Sequence, residues 1–304
     1  MTSPPAGVEP NFPLARLTTI RAGGAAQWFA RPTDEAQLAE LLAWAGGEGL
    51  PIGIIGSGSN LLVADEGFKG LALKLAGELA TVERDGDRVL CGGGARLPAA
   101  ATKVARWGLS GLEFGVNIPG TVGGAVKMNA NAYGGELGRV LEWVDVCTPE
   151  GRDRRAPEQL DFSYRRSNLD HQEVVARASF CLAPGDPDAI KATMAGMREK
   201  RHAAQPAGIK TFGSTFKNPE DDRAEGRTAG QLLEASGARS LQVGGARFSE
   251  KHSNFVENSG GATTADVLEL MAAGRRGVYE RFGVALEPEV QLLGDVRWPE
   301  GWEL

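Results

Sequence analysis

The chain is poor in the residues from which metal centres and disulfide frameworks are built. Among 304 residues there are three cysteines and three histidines. Cys91, Cys147 and Cys181 lie far apart, form no CxxC pair and are odd in number, so neither a metal site nor a disulfide framework is expected. His171, His202 and His252 are equally scattered, and structural roles are expected for these side chains. No apolar run approaches the ~18 residues that cross a membrane, and Met1-Thr-Ser-Pro-Pro5 lacks the basic start and apolar core of a signal peptide. The expected compartment is the cytoplasm. Positive charge is short as well: 33 Lys and Arg against 39 Asp and Glu give a net charge of −6. That argues against broad contact with a nucleic-acid backbone. It leaves room for a small anionic ligand in a local basic pocket. Internal repeats and low-complexity tracts are absent too.

Glycine, by contrast, is abundant, with 42 residues and no collagen-like period. Bare backbone turns tightly and lets another molecule approach closely, as a nucleotide cofactor must. The rest alternates strand and helix patterns, which marks a mixed α+β protein. Residues 1–18 are Pro-rich and read as a loose arm. Thr33 is placed to cap a helix, with Asp34 and Glu35 at its positive end. Leu38, Leu41, Leu42 and Ala45 give that helix one apolar face, and Gly46-Gly47 is its expected stop. Residues 50–55 read as a buried strand and Leu61–Val63 as another. Residues 82–90 fit a hairpin turning at Asp85-Gly86. A second amphipathic helix carries Leu97, Ala100, Ala101 and Val104. Residues 111–135 are too rich in Gly and Asn for a simple packed helix. Residues 140–146 are strand-like and turn at Pro149-Glu-Gly151. Helices are expected over 188–202, 229–235 and 264–282, and a last strand over 284–293. The character changes at Gln205-Pro-Ala-Gly208, where a domain boundary is expected.

Two glycine-rich segments stand apart. Gly56-Ser-Gly-Ser-Asn60 follows directly on a predicted strand. Its glycines let backbone N–H groups converge on an anion, and Ser57, Ser59 and Asn60 add neutral donors, sound chemistry for a diphosphate. It is not a P-loop, because no Gly-Lys-Ser/Thr follows. Nor is it the usual dinucleotide fingerprint, whose third glycine position is Leu61 here. An ordinary strand–turn–strand fits this segment equally well. The second segment, residues 115–134, packs glycines and asparagines around a few apolar side chains. Long irregular loops inside compact domains are usually functional, and two such loops suggest a long ligand gripped at more than one point.

At Ile118-Pro-Gly-Thr-Val-Gly-Gly-Ala125, with Met128-Asn-Ala130 before Ala132-Tyr-Gly134, the chain resembles the flavin-binding segment of the UDP-N-acetylenolpyruvoylglucosamine reductase family. Gly56 to Asn60 matches that family's other FAD loop. The resemblance implies an α+β chain, with an FAD-binding fold of the p-cresol methylhydroxylase and vanillyl-alcohol oxidase type plus a smaller α+β substrate-binding domain. That fold accounts for the missing Rossmann fingerprint. It implies a first FAD-binding subdomain over 1–80, joined by 290–304, a second over 81–205, and the substrate-binding domain over 206–289. FAD contacts fall on Gly56, Ser57, Gly58, Ser59, Asn60, Ile118, Gly120, Thr121, Gly123, Gly124 and Ala125. FAD is expected to be noncovalent, because no His or Cys falls inside either loop. Asn131 stands where the family typically has glycine, and Asn tolerates left-handed backbone well.

Three more motifs carry the same resemblance, in order between about Thr19 and Gly294. In Phe162-Ser-Tyr-Arg-Arg-Ser167, Arg165 matches the catalytic arginine, although by chemistry alone Arg166 could equally be the inward one. In Gly213-Ser-Thr-Phe-Lys-Asn-Pro219, Ser214 matches the proton donor. In Leu286-Glu-Pro-Glu-Val290, Glu289 matches the catalytic glutamate and is expected on the final strand. Ala229 to Glu234 and Lys251-His-Ser-Asn-Phe255 follow the pattern too. Tyr164, Lys217 and Asn218 are the expected substrate contacts, the last two with the uridine diphosphate. The implied reaction reduces UDP-N-acetylglucosamine enolpyruvate to UDP-N-acetylmuramate for peptidoglycan, with NADPH as co-substrate. Hydride passes from NADPH to FAD and on to the terminal carbon of the enolpyruvyl group, and an enolate builds beside the substrate carboxylate. Arg165 would stabilise that enolate bidentately, and Ser214 would protonate the adjacent carbon. Glu289 would donate a hydrogen bond as a neutral acid, since a bare carboxylate would oppose the growing charge. No nucleic acid, membrane or obligate protein partner is implied. One subgroup of the family carries an inserted segment whose tyrosine closes over the substrate. The stretch between Ser167 and Ser214 is too short for it, so another residue must cover the substrate here. A flavin oxidase of the same fold, and a nucleotide-sugar-binding protein that has lost the chemistry, are the alternatives. The motifs around Arg165, Ser214 and Glu289 weigh against both.

Overall fold

A computed structural model of the chain describes residues 2–206 and 208–303. Ala207, inside the 205–208 stretch where the sequence suggests a boundary, lies outside the described residues. The chain divides into two compact units. The first comprises Met1–Asn11, Gln27–Ser57 and Lys69–Ala203, and the second Phe12–Ala26, Gly58–Phe68 and Ala204–Leu304.

In the first unit a five-stranded antiparallel sheet runs in the order Gly151–Arg155, Leu141–Thr148, Val174–Cys181, Arg88–Gly92, Val82–Asp85. Its middle strand is bulged: Arg177 pairs with Asp145 but Val175 with Val146, which leaves Ala176 as the extra residue. A bulge resets side-chain alternation. Val174 and Ala176 therefore enter one apolar cluster, and Val175, Ala178 and Phe180 another. Helix α1 (Glu35–Gly47) adds Leu38, Leu41, Leu42 and Ala45 to the first cluster. There they meet Ile52, Leu71 and Leu73 of the parallel strands Ile52–Ile54 and Phe68–Leu73. Helix α2 (Leu97–Arg106) brings Leu97, Ala100, Ala101 and Val104 to the second cluster, together with α3 (Val122–Lys127). Helix α4 (Pro187–Ala204) adds Ile190 and Met194.

In the second unit α5 (Ala229–Ala235) and α6 (Thr264–Phe282) pack with a three-stranded sheet, Gln242–Val243, Ala246–Phe248 and Val256–Asn258. Both helices begin at capping boxes, Thr228 with Gln231 and Thr263 with Asp266, which satisfy the first backbone N–H groups. Leu232, Leu233, Phe248, Leu270 and Met271 are fully buried. Gln291–Leu293 pairs in parallel with Leu61–Val63, so the end of the chain is tied to an early segment. Among the described residues no helix is long and apolar enough to cross a membrane.

Several local expectations need correction. Helix α1 is capped by Asp34 rather than Thr33: the extended Asp34 backbone aims its carboxylate at Gln37 N, 2.9 Å away. The helix runs through Gly46-Gly47 and ends just before Gly49, whose φ of +65° breaks it. The early segment is not a loose arm throughout, because Glu9–Pro13 is a strand and Leu14 is fully buried. Residues 111–135 are, as expected, not one packed helix, and their α-helical part is the six-residue α3, capped by Thr121. The final strand is only Gln291–Leu293, so Glu289 precedes it. Upstream of it the 284–290 stretch makes only an isolated bridge, Pro288 with Phe216.

All three cysteines are free. Burial pushes the Cys91 thiol up to about 12 and the Cys147 thiol to about 11, whereas Cys181 is exposed. The thiolate is the reactive form. At pH 8 a maleimide should therefore modify Cys181 alone in the native protein and all three thiols after denaturation. Peptide mapping that found native-state label on Cys91 would contradict this packing.

Candidate active site

A cavity of about 370 Å³ in the first unit is lined by the backbone of Gly56, Gly93, Gly94, Gly123 and Gly124 and by Lys74, Arg96 and Lys127. Much of its wall is backbone against backbone. Gly93 N donates to the bulged Ala176 O, and Gly123 N to Gly93 O, both at 2.8 Å. A Cβ on Gly93 would stand 1.8 Å from Val175 O, so no side chain fits there. Thr121 Oγ1 accepts from Gly124 N at 3.4 Å and would lie 2.7 Å from a Cβ on Gly56. That approach joins the two glycine-rich segments. Gly56, Ser57, Thr121, Gly123 and Gly124 thus share one cavity. Ile118, Gly120 and Ala125 are not part of its lining, and Ala125 is buried in the core. Gly58, Ser59 and Asn60 belong to the second unit.

The lining is cationic. Lys74 Nζ donates to Gly56 O. Burial, with Arg31 and Arg96 nearby, holds its ammonium below the usual range. Lys127 Nζ donates to Leu169 O at 3.2 Å and Asp170 O at 3.1 Å, and burial depresses its pKa as well. Among the described lining residues the one carboxylate is Glu173, and Arg155 holds it at 2.5 Å and lowers its pKa. A glycine wall that lets a ligand lie close to the backbone, beside Lys74, Arg96 and Lys127, suits an FAD diphosphate, and the residues present fit that group.

Arg165 stands at the tip of a tight turn, closed by Ser163 N to Arg166 O at 3.1 Å and Arg166 N to Ser163 O at 3.2 Å. Its φ is +58°, a backbone state that is strained for a residue with a side chain. The turn is braced by the segment that leaves α3. Ser167 Oγ donates to Lys127 O at 2.8 Å, and the fully buried Asn129 donates from Nδ2 to Ser163 O at 3.2 Å. Arg165 Nη1 donates to Asn131 O at 3.0 Å and to Asn131 Oδ1 at 2.9 Å. Arg165 is half-buried and Arg166 exposed, which separates the two arginines. The exposed Tyr164 ring lies 5.3 Å from the Arg165 guanidinium.

In the second unit Ser214 bridges to Phe255. Asn254, 4 % exposed, grips the next two residues: Thr215 N donates to Asn254 O at 2.8 Å and Phe216 N to Asn254 Oδ1 at 2.9 Å, while Asn254 Nδ2 donates to Phe216 O at 2.8 Å. His252 Nδ1 accepts from Asn254 N at 3.2 Å, and burial lowers the imidazole pKa and so favours the neutral ring this bond requires. On the other side of the Ser214 segment, Glu289 N donates to Thr215 O and Lys217 N to Glu287 O, each at 2.9 Å. Ser214 and Glu289 thus ride on hydrogen-bonded neighbouring segments. Asn60 Nδ2 donates to Glu289 O at 3.2 Å, and Gln291 N donates to Asn60 O at 3.1 Å. Of the expected substrate contacts, Lys217 pairs with Glu287 at 3.1 Å, and Asn218 Oδ1 accepts from Ala229 N at 3.1 Å at the start of α5.

Lys74, Arg96, Lys127, Gly93, Gly94 and Asn254 are not marked out as site residues by the sequence. The Gly92-Gly-Gly94 run is a usable signal for close backbone approach. The three cations come from separate segments and carry no such signal. Asn254 is visible only as part of the Lys251-to-Phe255 motif.

Known proteins match both parts of the chain. Residues 26–156 match the FAD binding domain, and residues 205–293 match the UDP-N-acetylenolpyruvoylglucosamine reductase C-terminal domain. UDP-N-acetylenolpyruvoylglucosamine reductase 2 of Symbiobacterium thermophilum is 43% identical, covering 97% of this chain and 94% of that one. The reductase of Heliobacterium modesticaldum is 42% identical over 93% of this chain and 90% of its own. The crystal structure of UDP-N-acetylenolpyruvylglucosamine reductase from Thermus caldophilus superposes with a TM-score of 0.81 at 37% identity, covering 94% of this chain and 98% of that chain.

The Gly93 contact yields a direct test. Gly93→Ala should purify with a flavin-to-protein absorbance ratio well below that of the unmodified chain. Gly196→Ala, within α4 and with nothing within 4 Å of its Cβ position, should keep the ratio. A Gly93→Ala protein that purifies fully loaded with flavin would show that the cavity wall tolerates displacement.

Proposed function

The chain belongs to the UDP-N-acetylenolpyruvoylglucosamine reductase family, and from that membership we infer an FAD-dependent oxidoreductase that reduces UDP-N-acetylglucosamine enolpyruvate to UDP-N-acetylmuramate with NADPH, in peptidoglycan synthesis. The observation that supports carrying this activity to individual residues is the fastening of the Arg165 turn to Lys127, Asn129 and Asn131, directly downstream of a glycine-rich cofactor segment.

Bound FAD supplies a two-electron carrier between NADPH and the enolpyruvyl double bond. The chain's own residues hold ligands, manage charge and deliver a proton. Glycines at 56, 93, 94, 123 and 124 would let the diphosphate lie close against the backbone, and Lys74 and Arg96 would meet its charge. Arg165 stabilises the enolate that builds beside the substrate carboxylate, because a guanidinium does not titrate and meets a carboxylate bidentately. Ser214 gives its hydroxyl proton to the adjacent carbon, a transfer worth ~10²–10⁴ in rate. Glu289 donates a hydrogen bond to the same developing charge. Tyr164 and Lys217 bind substrate, and Asn218 offers its Nδ2 donors while its Oδ1 caps α5.

Five finer points belong to the same reading. The three-part division over 1–80 with 290–304, 81–205 and 206–289 stands as a proposal. The chain falls in the subgroup without the tyrosine-bearing insertion: between Ser167 and Ser214 it forms the strand Val174–Cys181 and α4. A cytoplasmic location follows from the NADPH pool on which the reaction draws, and no obligate protein partner is required. FAD is held noncovalently, which is supported by a lining without His or Cys among the described residues.

Two outcomes follow. Heat denaturation and filtration should release all flavin into the filtrate, and flavin that stays on the chain would refute noncovalent binding. In stopped flow, Ser214→Ala should leave flavin bleaching by NADPH nearly intact and slow reoxidation by substrate by ~10²–10⁴. Equal loss in both halves would reassign Ser214 to a positional role.

A further inference from the structure

The Arg165 guanidinium is held by both oxygens of a single residue. Nη1 donates to the Asn131 backbone O at 3.0 Å and to its side-chain Oδ1 at 2.9 Å. Asn131 opens a short antiparallel hairpin, Asn131–Ala132 with Gly135–Glu136, and its φ is not positive. Tolerance of left-handed backbone is therefore not what places an asparagine here. Its side chain is used instead. With glycine at this position the side-chain acceptor is gone, and Arg165, a long side chain on a strained turn at φ +58°, would lose the bond from Nη1 to Oδ1.

The chemistry of the acceptor matters as much as its place. An amide oxygen accepts from a guanidinium without neutralising it. A carboxylate would hold the same nitrogen more tightly but would cancel the positive charge that a growing enolate needs. A neutral acceptor orients the guanidinium without adding a negative charge beside the growing enolate. We infer that Asn131 is a positioning residue for the substrate half of the reaction, acting through Arg165 by its side-chain oxygen. This rests on the proposed role of Arg165 beside the enolate.

The test is a double-mutant cycle on the FAD-loaded enzyme, read by rapid mixing. Flavin reduction by NADPH and reoxidation by UDP-N-acetylglucosamine enolpyruvate are followed separately, the second as a function of substrate concentration. Asn131→Ala should slow saturated reoxidation by about tenfold, the size of one charge-assisted hydrogen bond, with flavin reduction unchanged. Asn131→Gly, which demands least of the fold, should show a loss of the same order. Asn131→Asp should also be slow although it keeps an oxygen, because its charge opposes the role. In an Arg165→Met background, Asn131→Ala should add nothing further.

Reoxidation at the full rate in both Asn131→Ala and Asn131→Gly would overturn the inference. So would an equal fractional loss with and without Arg165, since that would mark a general structural effect, and so would an Asn131→Asp enzyme as fast as the unmodified one. Full-speed reoxidation in Arg165→Met alone is a separate outcome: it would remove the proposed role of Arg165, and the inference with it.

Discussion

A carbonyl pressed against a glycine sets the geometry of the first unit. Val175 O lies where a Cβ on Gly93 would be, and the neighbouring Ala176 O accepts from Gly93 N. The contact exists because the strand is bulged at Ala176, which turns an extra carbonyl toward the Gly92–Gly94 turn. From Gly93 the next bond runs to Gly123 N, at the start of α3, and Thr121 at its cap meets Gly56. Four separate stretches of chain are thereby fixed around one cavity with few side chains involved. Where side chains do enter, they are cations from yet other stretches. Remove the bulge, and the glycines have nothing to be packed against.

The second unit solves a comparable problem with amides. Asn254 occupies both hydrogen-bonding groups of Phe216, Asn60 holds the carbonyl of Glu289, and Asn258 holds Ile20 O while accepting from Gly260 and Ala262. Each is a neutral group that donates and accepts at once, so each locks irregular backbone without introducing a charge. Irregular backbone is what places Ser214 and Glu289, because neither lies in a regular strand.

What could be read in the sequence was whatever repeats locally. The apolar face of α1, the hairpin at Asp85-Gly86 and helices α2, α5 and α6 show in local sequence pattern, and they occur where expected. The glycine-rich segments stood out in the sequence, but their convergence did not. It depends on a bulge at Ala176, which no local pattern announces. The strand expected over 284–293 is only Gln291–Leu293, because the stretch before it makes just one isolated bridge, while the apolar alternation there imitates a strand. Lys74, Arg96 and Lys127 are ordinary basic residues until the fold assembles them. Asn131 was legible as a departure from glycine, but its purpose required seeing Arg165.

Pro288 has a further consequence. In an antiparallel bridge the opposed residues alternate between pairs that exchange hydrogen bonds and pairs that do not. Around Phe216 and Pro288 the bonds run from Lys217 N to Glu287 O and from Glu289 N to Thr215 O, so Pro288 occupies the slot where no N–H is needed. The ring therefore takes nothing from the folded state, and its benefit lies elsewhere: a locked φ removes conformations from the unfolded chain, typically worth about 0.4–1 kcal/mol. The residue next to Glu289 thus narrows in advance the directions in which that carboxyl can be presented. Part of the precision of the site is a property of the chain before it folds.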